Sequence, residues 1–351
     1  EDGGVVTGCP AFNPSNASHR PYGQETSTTI ITADETWTSD NVYFVISLLE
    51  IRAATLTIEA GTRVCLTAGA GSPPTITVFG QGGVEGRVVI NGTASEPVVF
   101  DRAGTDETYS GFYFSGPSYA RFDHVIFNHG GVGGLGVLRF AQNHGHPAVL
   151  RNVSIRNFYK MGLSLQNPDG LTSDSTVFLD SQMSTSTDPI VVTSLVAANT
   201  LNATNLRIAE TIPHFSRVIR FIDHDLRTDL TLSGSIGADY LMQTGDLNVR
   251  RSDSLSPIPT LTLEAGARLR FGDGELRVGF VGSGNEGSLV VNGTTEAPAV
   301  MTSAAFQTPA NGQWNGVTLY AGASPNSALT HLRIENAGGP GGANAISCRN
   351  G

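Results

Sequence analysis

Lysine is almost absent from this chain: of 21 basic residues only Lys160 is a lysine, and the arginines are scattered along the sequence. Nucleic-acid binding needs clustered basic residues to neutralise phosphates, and with a net charge of −10 no such patch is visible. No nucleic-acid partner is expected. Long apolar runs are missing too. None approaches the roughly 20 residues that span a bilayer, so no transmembrane segment is expected. Charged residues make up only 15% of the chain, which leaves little for the polar faces of surface helices. Cysteine is sparse. Cys9, Cys65 and Cys348 lie far apart with no Cys-x-x-Cys pair, which argues against a zinc site. A Cys9–Cys65 disulfide is one reading, and three buried or free thiols are the other. The chain opens on polar Glu1-Asp2-Gly3-Gly4, like a mature protein after processing, and a secreted or cell-surface location is expected.

Turns, by contrast, are plentiful. The 42 glycines and 17 prolines make up about one residue in six, too many breakers for long helices. Val, Ile and Thr recur in short alternating runs, the mark of strands. Repeats are also present. Leu56-Thr-Ile-Glu-Ala-Gly-Thr-Arg-Val64 returns as Leu261-Thr-Leu-Glu-Ala-Gly-Ala-Arg-Leu269, an offset of 205. Val88-Val-Ile-Asn-Gly-Thr-Ala-Ser-Glu-Pro-Val-Val-Phe100 returns at Leu289, an offset of 201. Tyr109-Ser-Gly-Phe-Tyr-Phe114 matches Trp314-Asn-Gly-Val-Thr-Leu319, offset 205, and Phe122-Asp-His-Val-Ile-Phe127 matches Leu329-Thr-His-Leu-Arg-Ile334, offset 207. Four blocks in one order, with offsets drifting by a few residues, describe two copies of one module with loop variation between blocks.

Within a copy, apolar triplets fall at 56–58, 76–78, 88–90, 98–100, 112–114 and 125–127. Most gaps are too short for a crossover helix with its loops. That excludes an ordinary βαβ sheet and leaves a sandwich, a propeller or a solenoid. The Asn-Gly-Thr turns at 91–93 and 292–294 can serve as hairpins. Each is followed by another short buried strand, which favours a coil stacked on the next. Asn near strand ends tolerates left-handed backbone at the corners.

These blocks, with Thr36-Trp-Thr-Ser-Asp40 and Tyr43-Phe-Val-Ile46 before them, resemble the right-handed parallel β-helix repeat of large secreted or lipid-anchored bacterial surface proteins, of the pectin-lyase-like superfamily in fold. The resemblance covers nearly all of 30–350. It implies an all-β, right-handed parallel β-helix, a solenoid of two tandem related modules. Residues 1–27 are read as an N-terminal cap or linker. Residues 28–210 form the first module with its extension, and 211–351 the second, cut off in mid-repeat. Its open end would expose strand edges that invite pairing.

Several constellations are candidates for chemistry. His129, His144 and His146 lie within 18 residues in Gly-rich loops and can hold a transition metal if they converge. The second-copy counterpart of His129 is read as Ala337, outside the shared pattern. Asp223 and Asp225 can share one face of a strand and bind Ca²⁺, or act as an acid/base pair. His124 and His331, equivalent in the two copies, read as paired ligands or as structural corner residues. A Tyr159/Lys160/Arg156 base is a further option. The Gly130–Gly136 string lacks the Lys and the helix that phosphate cradling needs. Solvated loops and charged strand edges are the plain alternatives to all of these. Enzymes of the resembled superfamily use Ca²⁺ with an Arg or Lys base, or paired aspartates, and no Asp-Asp pair occurs here.

The expected function is therefore a non-catalytic extracellular structural or adhesive module that contacts polysaccharide or a surface protein. A polysaccharide lyase or glycoside hydrolase is the first alternative. A filament subunit associating end to end is the second. No cofactor is expected beyond Ca²⁺.

Overall fold

The computed structural model describes residues 8–23, 28–67, 73–104, 108–132, 136–181, 188–282, 284–305, 310–339 and 344–349. The start of the chain (1–7) and positions 133–135 of the Gly-rich string lie outside the described residues. The chain divides into two compact units, Glu1–Val191 with Thr204–Ser216, and Val192–Ala203 with Arg217–Gly351.

The six sequence triplets all sit in strands, at Thr55–Glu59, Thr75–Phe79, Gly86–Asn91, Val98–Arg102, Gly111–Phe114 and Ser118–Asn128. Each strand pairs in parallel with its counterparts one coil before and one coil after. Thr55–Glu59 thus pairs with Gly86–Asn91, and Gly86–Asn91 with Ser118–Asn128. Val98–Arg102, the strand that follows the Asn91-Gly-Thr turn, pairs instead with Arg63–Leu66 and Ser118–Asn128. The turn is therefore a corner of a coil and not a hairpin. The first unit contains one eleven-stranded sheet and a separate run through Thr29–Ile31, Leu48–Arg52, Thr75–Phe79, Gly111–Phe114, Leu138–Phe140 and Leu163–Leu165. The second unit repeats the plan. Five strands run from Val218–Phe221 to Leu332–Ile334, five from Asp225–Leu226 to Ile346–Arg349, and four from Leu230–Leu232 to Ala328–Thr330. This is a parallel β-helix.

Register makes the core. In a strand alternate residues point to one side, so stacking in register turns every inward position into a column. One column of the first unit is Leu49, Ile76, Phe112, Leu138 and Leu163, and another is Ile51, Val78, Phe114, Phe140 and Leu165. All ten are 2% exposed or less, and burying each such side chain contributes on the order of 2 kcal/mol. Phe114 and Phe140 stack at 5.0 Å.

The corners are left-handed. His124 and His331 have φ of 48° and 47°, and His129 and Asn336 have 61° and 57°. His and Asn are among the few non-glycine residues that visit this region readily. The equivalent histidines at 124 and 331 are thus corner residues of the scaffold. The shared spacing also corrects one assignment: His129 corresponds to Asn336, and Ala337 to Gly130. Gly111 and Gly316 of the repeated Tyr/Trp-x-Gly block have φ of 123° and 90°. A Cβ on Gly111 would stand 2.0 Å from the Val137 carbonyl oxygen, so no larger residue fits.

Residues 8–13 lie as a strap across the outward face of the eleven-stranded sheet. Cys9 is disulfide-bonded to Cys65, with Cα atoms 5.7 Å apart, and Cys348 is free and exposed. Phe12 packs on Phe44 at 4.9 Å, and the strap covers Phe44, Cys65 and Ala103. This explains why Phe44 and Cys65, which point outward, are fully buried. The strand His19–Tyr22 then begins the sheet.

Candidate functional site

The predicted ligands do not converge. His129 lies on the outward face of the eleven-stranded sheet, where its Nδ1 donates to Asp101 Oδ1 at 2.8 Å. His144 is 2% exposed and hydrogen-bonded through Nδ1 to the buried Ser118 hydroxyl at 2.8 Å. It packs beside Phe114 and Phe140, with ring centroids 5.9 and 5.3 Å away. Burial, with a further push from His146, lowers its pKa to about 4. It is therefore a core residue and not a solvated loop histidine. His146 is on the surface, where Nε2 meets Glu85 Oε1 at 2.5 Å and the ring sits edge-on to Tyr119. That hydrogen bond holds the Glu85 carboxyl below its usual range. Among the described residues no group of three or more His, Cys, Asp or Glu side chains is arranged to hold a metal ion.

The Tyr159/Lys160/Arg156 set is likewise dispersed. The Tyr159 hydroxyl accepts from Arg102 at 3.0 Å, Lys160 faces Asp188 at 3.6 Å, and Arg156 donates to Ser154 at 2.8 Å.

Asp223 and Asp225 do share a site. With His224, Arg227, Leu195 and Val196 they line an open cleft of about 450 Å³ in the second unit. Their roles differ. Asp223 Oδ2 accepts the backbone N–H of Leu195 at 2.9 Å, at the start of the short helix Leu195–Ala198. Asp225 is gripped by Arg227 at 3.0 Å, Arg250 at 3.2 Å and the Asn248 amide at 3.0 Å. Partial burial raises the Asp225 pKa, but hydrogen bonds from Arg250 and Arg227 outweigh it and leave the carboxyl below its usual range. It therefore stays ionised and is unsuited to the role of general acid.

The strand register extends this cleft into an outward column. Asp225 stands next to Asn248, then Arg277, one per coil, and Thr318, next in register, is buried. Arg277 is paired with Asp246 at 2.8 Å and with Glu275, whose carboxylate also accepts from Thr318 at 3.1 Å. Beside the column Arg250 lies 5.0 Å over the Phe280 ring, and Phe280 stacks on Tyr320 at 5.2 Å with planes 7° apart. Sequence reasoning found Asp225 but missed two of its three partners, Asn248 and Arg250, which lie 23 and 25 residues away, about one coil. A search for polar pairs at coil spacing would have found them.

No protein-family model, curated protein or solved structure matches the chain.

Proposed function

We propose that this chain is a non-catalytic structural and adhesive module of a secreted or surface protein, with the half-buried column Asp225, Asn248 and Arg277 as a contact face for carbohydrate. The observation that carries the reading is the column itself. Its charges are spent on partners in the same coil and in the adjacent one instead of being aimed at one reacting point. Such pairing ties adjacent coils together and sets planar donors and acceptors in a ladder about 4.8 Å apart, available to the hydroxyls of a polymer. The Phe280 and Tyr320 rings, stacked and half-buried, lie beside Arg250. The Cys9–Cys65 disulfide supports an oxidising, extracellular setting. The resemblance to pectin-lyase-like bacterial surface repeats supports the same reading.

The test is retention on a panel of insoluble polysaccharides, with release of reducing ends and unsaturated sugars followed in parallel. Binding without product, lost in Asp225→Ala/Arg250→Ala, is expected. Steady product formation abolished by Asp223→Asn would replace this reading with the lyase or hydrolase alternative, which draws on the same cleft. End-to-end association draws on a different observation. Leu329 and Ile346 are 39% and 41% exposed and line a second pocket of about 410 Å³. Growth of the particle with concentration in sedimentation would support that reading.

A further inference from the structure

The strap and the histidine beneath its edge form a unit that the contact face does not use. Cys9, Asp101, Arg102, Ala103 and His129 line one cavity of about 280 Å³. The two sulfurs are unlike. Cys9 is partly exposed, whereas Cys65 is 0% exposed. Cys65 is also the register partner of Asp101, whose side chain is only 5% exposed. The Asp101 charge is felt nearby: after burial, it is the next cause raising the Tyr109 pKa.

The second unit carries a different side-chain link at the equivalent corner. The residues equivalent to Asp101 and His129 are Thr302 and Asn336, and the Asn336 amide donates to the Thr302 hydroxyl at 3.2 Å. The position of Cys65 is taken by Arg270. The scaffold therefore needs a side-chain link at this corner, and a neutral one suffices. In the first unit the link is ionisable and sits against a disulfide.

We propose that Cys9–Cys65 is a thiol-exchange site that latches the strap, with Asp101 as a positioning residue that makes the latch slow to open. The attacking group is the thiolate of a small thiol. It bonds to Sγ of Cys9, the less buried of the two residues, the Cys9–Cys65 bond breaks, and the Cys65 sulfur departs as a thiolate that takes a proton from water. A second small thiolate attacks the small-molecule sulfur of the mixed disulfide, which frees Cys9 as a thiolate and forms the oxidised small disulfide. Two electrons pass from the two thiols to the protein. A thiolate leaving a buried position beside a carboxylate is a poor leaving group, so the exchange is slow in the native state. Opening uncovers Phe44, on which Phe12 of the strap packs.

The experiment uses the full chain carrying Cys348→Ser, reduced with dithiothreitol at neutral pH. Thiols are trapped by alkylation and counted by mass spectrometry. Complete reduction is expected to leave the far-UV strand signal unchanged, while a hydrophobic dye binds and a protease cuts within residues 8–20. A strap still protected after full reduction overturns the latch, as does loss of the strand signal. The role of Asp101 is read from Asp101→Thr/His129→Asn, which copies the neutral link of the second unit. Its disulfide should be reduced about three- to tenfold faster at unchanged thermal stability. A wild-type rate in that variant overturns the assignment of Asp101.

Discussion

Replacing the buried Ser118–His144 pair should remove most of one proton from the acid sensitivity of the first unit. His144 titrates normally near 6.5 in an unfolded chain, and burial lowers it to about 4 in the fold. The folded pKa is the lower one, so between those values the unfolded state binds more protons. Stability therefore rises with pH through that window, is flat above about 6.5, and is lost as pH falls toward 4. At 1.36 kcal/mol per pH unit the drop amounts to about 3 kcal/mol. The perturbation is His144→Leu/Ser118→Ala, which removes both hydrogen-bonding partners together and leaves neither unsatisfied. The assay is urea unfolding at several pH values, followed by tryptophan fluorescence. The chain has only two tryptophans, Trp37 in the first unit and Trp314 in the second, and both are fully buried. In a Trp314→Phe background the signal reports the first unit alone. The wild type should lose about 3 kcal/mol more than the variant between pH 6.5 and 4. Equal losses would refute the reasoning.

Two further outcomes follow from packing. Arg270 donates to Asp239 at 2.5 Å, with both side chains 7% exposed. Arg270→Met should therefore cost roughly 3–5 kcal/mol by leaving Asp239 buried without its main partner, and Asp239→Leu/Arg270→Met should recover most of it, read by Trp314 fluorescence in urea. Gly111→Ala should cost at least about 2 kcal/mol, because its Cβ would meet the Val137 carbonyl and its φ is positive. Gly316→Ala, with 2.6 Å to the nearest carbonyl, should cost less in thermal melts of the two variants.

Local pattern carried the architecture. The alternating triplets became strands and the Asn-Gly corners became turns, because both are set by neighbours within a few residues. The repeated blocks became equivalent coils, down to matched left-handed corners at His124 and His331. The candidate sites were less legible. His129, His144 and His146 are close in sequence, yet one faces outward on the sheet, one enters the core and one pairs on the surface. Closeness along a coil says little about side-chain direction, which alternates at every residue. The pairs that do form, Asp101 with His129 and Asp225 with Arg250, join residues about one coil apart.

By itself, then, the sequence determined the period, the all-β content and the doubling of the module. These are properties of composition and short-range order. Only the tertiary structure decided that residues 8–13 fold back as a strap, that Cys9 meets Cys65 while Cys348 stays free, and that Asp225 is paired with Arg227 and Arg250. The physical reason is register. Which residue of one coil lies over which residue of the next depends on the length of every corner between them, and that sum is fixed only when the coils close.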